Sequence, residues 1–424
     1  MPDIERNYYN LFDLVLCLTN AVDLISPEVA DHHQKVAYLA FRIAERLDLP
    51  MSQKRDLVLA GLLHDVGALS LDERLELIEN EPITSENHAY IGARLVEGFT
   101  PLKRAGEIIR YHHVPWNYGE GRNYKGHSVP ILSHILHLAD RIAVQTGSHR
   151  DIISQISKIR DNINSQRDSV FMPELVDAFM DISSHEYLWL DMVYKPLVYS
   201  VPDVLSVDSM KLSLDKVIEL TKIFANIIDF RSPFTANHSA GVARTAEKLA
   251  ELAGFSENER KMIVIAGNLH DLGKLGVSRS ILEKPDKLTT AEFDAIKSHT
   301  FFTYRLLQPI KGFETINKWA SFHHEKLNGD GYPFHLDGGS IPLGSRIISV
   351  ADIFTAITED RPYRKGMTEE EAKAVLNQMA ADNCICFHVV SVLMDNFDTL
   401  SDIRKEAQAK ASLEYSYIVS LATD

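Results

Sequence analysis

The feature that most constrains this chain is a series of histidine and aspartate residues that occurs twice in the same order. In each copy, the first histidine lies 32 residues before a His-Asp dipeptide, and a third histidine lies 24 residues before a His-His pair. The first copy comprises His32, His64, Asp65, His88, His112, His113 and Asp140, and the second comprises His238, His270, Asp271, His299, His323, His324 and Asp352. Such a repeat predicts two copies of one structural unit.

The residues around both copies have helical periodicity. Apolar residues recur there at three- and four-residue steps: Val36, Leu39, Ala40 and Ile43 in the first copy, and Val242, Ala246 and Leu249 in the second. Strand-like alternation is scarce, so the predicted fold class is all-α, with two tandem helical domains. Pro196 and Pro202 interrupt the pattern. We therefore expect an N-terminal domain at 1–205 and a C-terminal domain at 206–424.

Charge and cysteine content narrow the range of partners and locations. A net charge of −15 disfavours binding to DNA, RNA or an anionic membrane surface. Acidic residues stand near the N-terminus, where a signal peptide needs basic ones, and no apolar run approaches the roughly 20 residues of a membrane span. Three cysteines, Cys17, Cys384 and Cys386, are too few for a disulfide framework. We expect a cytoplasmic protein, and a homodimer remains open.

The repeated residue types are those that bind divalent transition metals. Buried imidazoles and carboxylates need partners that offset desolvation, which disfavours a scaffold whose histidines merely pack. Cysteine is absent from the series, which disfavours a structural zinc site. Each copy has about seven donors, more than one ion takes, so we expect two ions per complete site. Two ions about 3.5–4 Å apart can clamp a phosphoester and activate a water molecule.

The whole series resembles the HD phosphohydrolase superfamily, and the second half is similar to its HD-GYP subfamily of cyclic dinucleotide phosphodiesterases. This resemblance covers about residues 210–400. The segments that carry it are His270-Asp271-Leu-Gly-Lys274-Leu-Gly, His323-His324-Glu325-Lys-Leu-Asn328-Gly-Asp-Gly331-Tyr332-Pro333 and Arg361-Pro362-Tyr363-Arg364.

The resemblance implies a function for the C-terminal half: metal-dependent hydrolysis of a cyclic dinucleotide to a linear dinucleotide, and further to GMP. Cyclic di-GMP is the substrate expected first. A phosphodiesterase specific for 3'3'-cyclic GMP-AMP and a non-hydrolysing cyclic dinucleotide receptor remain the alternatives. A general HD phosphohydrolase acting on nucleotides or phosphomonoesters is disfavoured by the Gly331-Tyr332-Pro333 and Arg361-Pro362-Tyr363-Arg364 segments.

The resemblance also implies a role for each matching residue. One ion, iron or manganese, would be held by His238, His270, Asp271 and Asp352. Asp271 would bridge to a second ion held by His299, His323 and His324. Asp271 and Lys274 are the expected catalytic residues, and the substrate would be bound by Lys274, Tyr332, Arg361 and Arg364.

Several positions depart from the subfamily pattern. Asn328 stands where aspartate is usual, and Thr303 where glycine is usual. Phe234 occupies a position where three-metal members can have a carboxylate, which favours two ions here. Cys386-Phe387-His388 replaces the usual Phe-Asp-Pro segment. These changes leave the expected ligands intact but leave the choice between cyclic di-GMP and cyclic GMP-AMP open.

The N-terminal copy keeps a candidate ligand at every position of the series, with His33 as an alternative to His32. It lacks two catalytic features, because Ala68 stands in place of the lysine and Val114–Tyr118 replaces the approach to Gly-Tyr-Pro. One interpretation is a metal-binding domain with another substrate or a ligand-sensing role. The other is a decayed duplicate retained for packing and dimerisation. We expect this half to hold metal without cleaving the substrate of the other half.

Overall fold

The computed structural model describes residues 8–24, 31–68, 86–146, 151–194, 210–229, 237–284, 286–360 and 365–420. Arg361, Arg364 and Phe234 lie outside the described residues. Within the described ranges, helices predominate and the strands form only two short two-stranded ladders. The predicted all-α class is therefore confirmed. None of the described helices is long and apolar enough to cross a membrane.

The chain divides into two compact units. The C-terminal unit consists of Met1–Ala21 and Lys211–Tyr417, and the N-terminal unit consists of Val22–Met210 and Ile418–Asp424. Strand Tyr9–Asn10 pairs antiparallel with strand Lys211–Leu212, so the start of the chain lies in the C-terminal unit. The sequence division had assigned this segment to 1–205.

The N-terminal unit carries the first His/Asp series on a set of short helices. Its helices are His32–Arg46, Met51–Leu63, Glu86–Glu97, Lys103–Ile109, Ile131–Thr146, Ile156–Ser165, Pro173–Ile182 and Glu186–Tyr194. Helix Leu11–Asp23 precedes them in the chain. A small ladder pairs strand Asn123–Tyr124 with strand His127–Ser128.

The C-terminal unit repeats this order of elements around the second series. The helices from residue 214 onward are Leu214–Asp229, His238–Leu252, Glu257–Leu269, Arg279–Leu282, Thr290–Leu307, Glu314–Ser321, Leu343–Thr358, Glu369–Ala381, Phe387–Asp395 and Phe397–Ser420. The 3-10 helix Leu272–Gly276 follows the His-Asp dipeptide directly.

Side-chain caps fix where two of the site-bearing helices begin. Ser256 accepts a hydrogen bond from the backbone N–H of Glu259, and the Glu259 carboxylate accepts one from the N–H of Ser256. Thr289 and Glu292 form the same reciprocal pair. A capping box satisfies N–H groups that have no partner within the helix. The caps therefore fix the start of the helix that precedes His270 and of the helix that contains His299.

A pair of close helix contacts is repeated in both units. A Cβ atom added to Gly267 would lie 2.7 Å from the Cα of Ala243, and one added to Gly61 would lie 2.6 Å from the Cα of Ala37. Only glycine allows this approach. The contact brings the helix that begins with the first histidine of each series against the helix that ends before the His-Asp dipeptide.

A second close contact brings the turn after each dipeptide to the third histidine. A Cβ atom at Gly273 would lie 2.0 Å from the carbonyl oxygen of His299, and one at Gly67 would lie 2.1 Å from that of His88. Thr303 stabilises the C-terminal turn, because its hydroxyl accepts from the N–H of Gly273 (2.9 Å) and donates to the carbonyl of His270 (3.2 Å). This departure from the expected glycine therefore has a structural role.

Candidate metal centres

In the C-terminal unit, the chain brings the first four expected ligands together from three helices. His238 is the first residue of its helix, His270 and Asp271 directly follow helix Glu257–Leu269, and Asp352 lies in helix Leu343–Thr358. Asp352 Oδ1 lies 3.0 Å from His238 Nε2 and 3.9 Å from His270 Nε2. Asp271 Oδ2 lies 3.2 Å from His270 Nε2.

The remaining three histidines form a neighbouring group. Donor atoms of His299, His323 and His324 lie within 4.8 Å of one another. Asp271 faces this group with its other oxygen, since Oδ1 lies 3.4 Å from His299 Nε2. The Asp271 carboxylate is therefore placed between the two groups, as a bridging ligand would be.

Backbone hydrogen bonds fix which nitrogen of three rings faces the centre. The Nδ1 atoms of His270, His299 and His323 lie 2.7, 2.5 and 2.6 Å from the carbonyl oxygens three residues earlier in the chain. A carbonyl can only accept, so each Nδ1 carries the proton and each Nε2 presents a lone pair. His270 Nε2 and Asp271 Oδ1 are buried and have no hydrogen-bond partner in the described part of the chain. Two buried lone-pair atoms without a hydrogen-bond partner are suitable ligands for a divalent cation.

The electrostatics of the group also favour metal binding. Burial lowers the pKa of His299 to about 3 and that of His324 to about 4, which keeps both imidazoles neutral. Burial acts to raise the pKa of Asp271, but the charges of His270 and Lys274 hold it well below its usual range. Neutral imidazoles and ionised carboxylates are the forms that bind metal.

Glu359 is a site residue that the sequence analysis missed. It is buried, and its Oε2 lies 3.1 Å from His238 Nδ1 and accepts a 3.0 Å hydrogen bond from Gln408 Nε2. Burial acts to lower the pKa of His238, but the Glu359 carboxylate and then Asp352 raise it to about 10. Glu359 thus fixes the orientation of the His238 ring, with Nε2 on the side of Asp352. The repeat did not indicate it, because Gly147 stands at the matching position of the first half.

The expected catalytic lysine also lies at this centre. Lys274 Nζ is 2.5 Å from Asp271 Oδ2, and a quarter of its side chain is exposed. The Tyr332 ring lies beside His324, with ring centroids 4.9 Å apart. The other two expected substrate-binding residues, Arg361 and Arg364, lie outside the described residues.

Glu325, a second residue with no role assigned from the sequence, holds the loop that contains Tyr332. Its side chain is buried and accepts hydrogen bonds from the backbone N–H groups of Phe334 (2.7 Å) and Leu336 (2.9 Å). The loop passes so close that a Cβ atom at Gly331 would lie 2.4 Å from the Cα of Glu325. Because Glu325 directly follows the candidate ligand His324, these hydrogen bonds hold the loop beside the candidate metal centre.

The N-terminal unit brings its own series together in the same way. Donor atoms of Asp65, His88, His112 and His113 form one group, and those of His32, His64 and Asp140 form another. His32 Nε2 lies 3.2 Å from Asp140 Oδ1, which matches the contact of the first histidine with the last aspartate in the other unit.

Asp65 lies between the two N-terminal groups. It is 3.2 Å from His64 Nε2 through one oxygen and 3.3 Å from His88 Nε2 through the other. Ala68 stands at the lysine position, and the segment after the His-His pair forms the turn Asn117–Arg122. Arg141 differs from its counterpart Ile353, and its guanidinium donates to Asp140 Oδ2 at 2.6 and 3.0 Å. This unit has the ligands of a centre without the lysine.

Comparison with known proteins gives the family. Two family models, each described as an HD domain, match residues 29–145 and 222–385, one in each unit. The chain belongs to the HD-domain family. Each HD match contains all seven residues of one series, so the predicted tandem HD architecture is confirmed.

The relatives of this HD-domain chain include enzymes. It is 29% identical over 404 residues, 93% of either chain, to the 3'3'-cGAMP-specific phosphodiesterase 1 of Vibrio cholerae serotype O1. It is 38% identical over 154 residues to the cyclic di-GMP phosphodiesterase response regulator RpfG of Xanthomonas campestris pv. campestris, which covers 36% of this chain and 41% of RpfG.

A solved structure agrees with the fold. The cyclic GMP-AMP-specific phosphodiesterase V-cGAP3 of V. cholerae superposes with a TM-score of 0.63 at 24% identity, over 92% of this chain and 98% of that one. The relatives confirm the predicted family and the predicted class of enzyme, a phosphoric diester hydrolase.

Proposed function

We propose that the C-terminal unit hydrolyses a 3'3'-cyclic dinucleotide, with 3'3'-cGAMP preferred over cyclic di-GMP. The observation that carries this order is the extent of the matches. A 3'3'-cGAMP-specific relative aligns over 93% of both chains, whereas the cyclic di-GMP phosphodiesterase RpfG aligns over 36% of this chain. The sequence analysis placed cyclic di-GMP first, and the proposal reverses that order.

The proposed cofactors are two divalent ions, iron or manganese. One would be bound by His238, His270, Asp271 and Asp352, and the other by Asp271, His299, His323 and His324. Ions held there would bind a phosphodiester and lower the pKa of a water molecule. The two oxygens of Asp271, which face different histidine groups, support this arrangement.

Lys274 is proposed to bind the scissile phosphate. Its ammonium group lies 2.5 Å from Asp271 Oδ2, so it already sits at the edge of the proposed centre. If the Asp271 carboxylate binds metal, the Lys274 ammonium group would be able to donate a hydrogen bond to a phosphate oxygen. A charge fixed in a partly buried site stabilises the negative charge that develops in the transition state. Tyr332, beside His324, is the proposed surface for stacking a base.

A competition experiment tests the substrate. Full-length protein, reconstituted anaerobically with iron(II) or manganese(II), is given equal concentrations of 3'3'-cGAMP and cyclic di-GMP in one reaction. The ratio of the initial rates at which the two linear products form then equals the ratio of kcat/KM values. We expect linear GMP-AMP to predominate and both products to vanish in Asp271→Ala. Predominance of linear di-GMP would refute the order, and tight binding of either nucleotide without product would indicate a receptor.

The N-terminal unit is proposed to hold metal without cleaving the cyclic dinucleotide. All seven residues of its series converge, which supports binding. Ala68 provides no cation for a phosphate, which speaks against turnover. Metal analysis of a His270→Ala/Asp271→Ala/His323→Ala/His324→Ala variant, which loses ligands of both proposed C-terminal ions, tests this proposal. Metal that remains bound supports an N-terminal centre, and complete loss of metal would contradict it.

A further inference from the structure

The two units differ at one buried pair beside the metal centres. In the C-terminal unit, the Asp229 carboxylate accepts hydrogen bonds from the N–H (3.0 Å) and the hydroxyl (2.9 Å) of Ser239. The matching pair in the N-terminal unit is Asp23 and His33, with the same ten-residue separation. Here Asp23 Oδ1 lies 2.6 Å from His33 Nδ1. Both units thus have the aspartate, but the N-terminal unit has His33 in place of the serine. The His33 ring has a second nitrogen, Nε2, that Asp23 does not contact.

The His33 ring lies beside the candidate ligands of the N-terminal unit. His33 is 2% exposed, and its Nε2 has no hydrogen-bond partner among the residues that the structure describes. Donor atoms of His33, His64 and Asp65 lie within 4.8 Å of one another, and the His33 and His64 rings lie 5.0 Å apart. A buried imidazole nitrogen without a partner destabilises the fold unless something binds it.

The same ion can satisfy both donor groups that contain His64. His64 Nδ1 lies 2.9 Å from the carbonyl oxygen of Gly61, so only Nε2 can bind metal. One nitrogen binds one ion, and His64 belongs both to the group with His32 and Asp140 and to the group with His33 and Asp65. The two groups can therefore share one ion at His64 Nε2.

We propose that His33 is an additional metal ligand of the N-terminal unit, binding through Nε2 the ion held by His32, His64, Asp65 and Asp140. Asp23 is the positioning residue, because its carboxylate accepts the Nδ1 proton and leaves the Nε2 lone pair for the metal. A carboxylate behind a ligand histidine is a common way to fix its tautomer. This inference does not depend on the substrate proposed for the C-terminal unit.

The extra imidazole changes what the N-terminal ion can do. On a six-coordinate ion, five protein donors would leave one position for water or substrate, whereas the four proposed C-terminal donors would leave two. Hydrogen bonds from Arg141 to Oδ2 also restrain the Asp140 carboxylate, so it is held in one orientation. The proposed N-terminal ion would therefore be held more firmly than the C-terminal one and would have fewer positions at which water or substrate could bind.

Cobalt(II) binding tests the proposal on the full-length chain. The parent carries His270→Ala, Asp271→Ala, His323→Ala and His324→Ala, so that both ligand groups of the C-terminal unit are removed, and cobalt binding is followed by d–d absorption. We expect His33→Ser to weaken the binding of the N-terminal ion by at least about 10–100-fold and to change its spectrum. Asp23→Ala, which keeps the imidazole but removes the acceptor of its Nδ1 proton, should weaken it in the same direction. The matched control, Ser239→Ala, should alter neither affinity nor spectrum.

The outcomes separate the alternatives. A His33→Ser protein with the parent's circular dichroism, cobalt affinity and spectrum would show that His33 merely packs against Asp23 and would overturn the proposal. If His33→Ser does not fold, Asp23→Ala decides in the same way, because it removes the acceptor that fixes the His33 tautomer. A parent that binds no cobalt in the N-terminal unit would also overturn it. None of these results bears on the C-terminal activity, which is measured on wild-type protein as cyclic dinucleotide turnover.

Discussion

Replacing Glu359 tests whether the carboxylate behind His238 contributes to the C-terminal centre. In Glu359→Ala, His238 Nδ1 loses the acceptor that lies 3.1 Å away, and Gln408 loses a 3.0 Å hydrogen bond. Loss of such a partner typically costs about 10–100-fold in metal affinity. That range corresponds to about 1.4–2.7 kcal/mol. The ring would remain in place but would no longer be held in one orientation.

The assay is competition between the protein and a chelator for manganese(II), read as bound metal, with phosphodiesterase activity measured in parallel. Activity of Glu359→Ala should fall at limiting metal and recover at excess metal. Glu359→Gln, whose amide oxygen can still accept from Nδ1–H, should lose less affinity than Glu359→Ala. Gln408→Ala serves as the control, because it leaves the contact between Glu359 and His238 in place. A folded Glu359→Ala protein with wild-type affinity would refute the reasoning.

Three further predictions follow from the same geometry. Lys274→Ala should lower kcat by about 100–1,000-fold with unchanged metal content, and unchanged kcat would exclude a role at the phosphate. Gly331→Ala adds a Cβ atom 2.2 Å from the Lys326 nitrogen, so it should displace the Tyr332 loop and reduce kcat/KM by about 100-fold; wild-type kinetics would contradict this. Glu359 and Asp352 raise the pKa of metal-free His238 to about 10, so metal must displace its proton. Affinity should therefore rise from about pH 6 to about pH 8. Calorimetry in buffers of different ionisation enthalpy would detect the released proton, and a pH-independent affinity would count against it.

The repeat allowed much of the fold and the candidate ligand sets to be predicted from the sequence. Histidine and aspartate at fixed separations constrain which helices must meet. Gly267 and Gly61 allow these helices to approach closely, because a side chain at either position would clash with the facing helix. Glu359 could not be found in this way, because its contact with His238 spans 121 residues and has no counterpart in the first half. The sequence gives no direct measure of such a tertiary contact.

Other parts of the site followed the repeat but were not recognised as functional. Asp23 and Asp229 stand at equivalent positions ten residues before His33 and Ser239. Each ends a helix whose apolar pattern alone gives no reason to single it out. Only the buried contacts with His33 and Ser239 reveal that these aspartates lie beside the candidate centres. The role of Glu325 was likewise hidden, since its partners are backbone N–H groups.

The central claim is that cyclic dinucleotide hydrolysis occurs at the C-terminal centre and not at the N-terminal one. Chromatographic product analysis of two matched double variants tests it most directly. His270→Ala/Asp271→Ala removes the C-terminal dipeptide, and His64→Ala/Asp65→Ala removes its N-terminal counterpart. With 3'3'-cGAMP as substrate, we predict that the first variant forms no linear product and that the second still does. Linear product from the first variant, or its loss only in the second, would contradict the account.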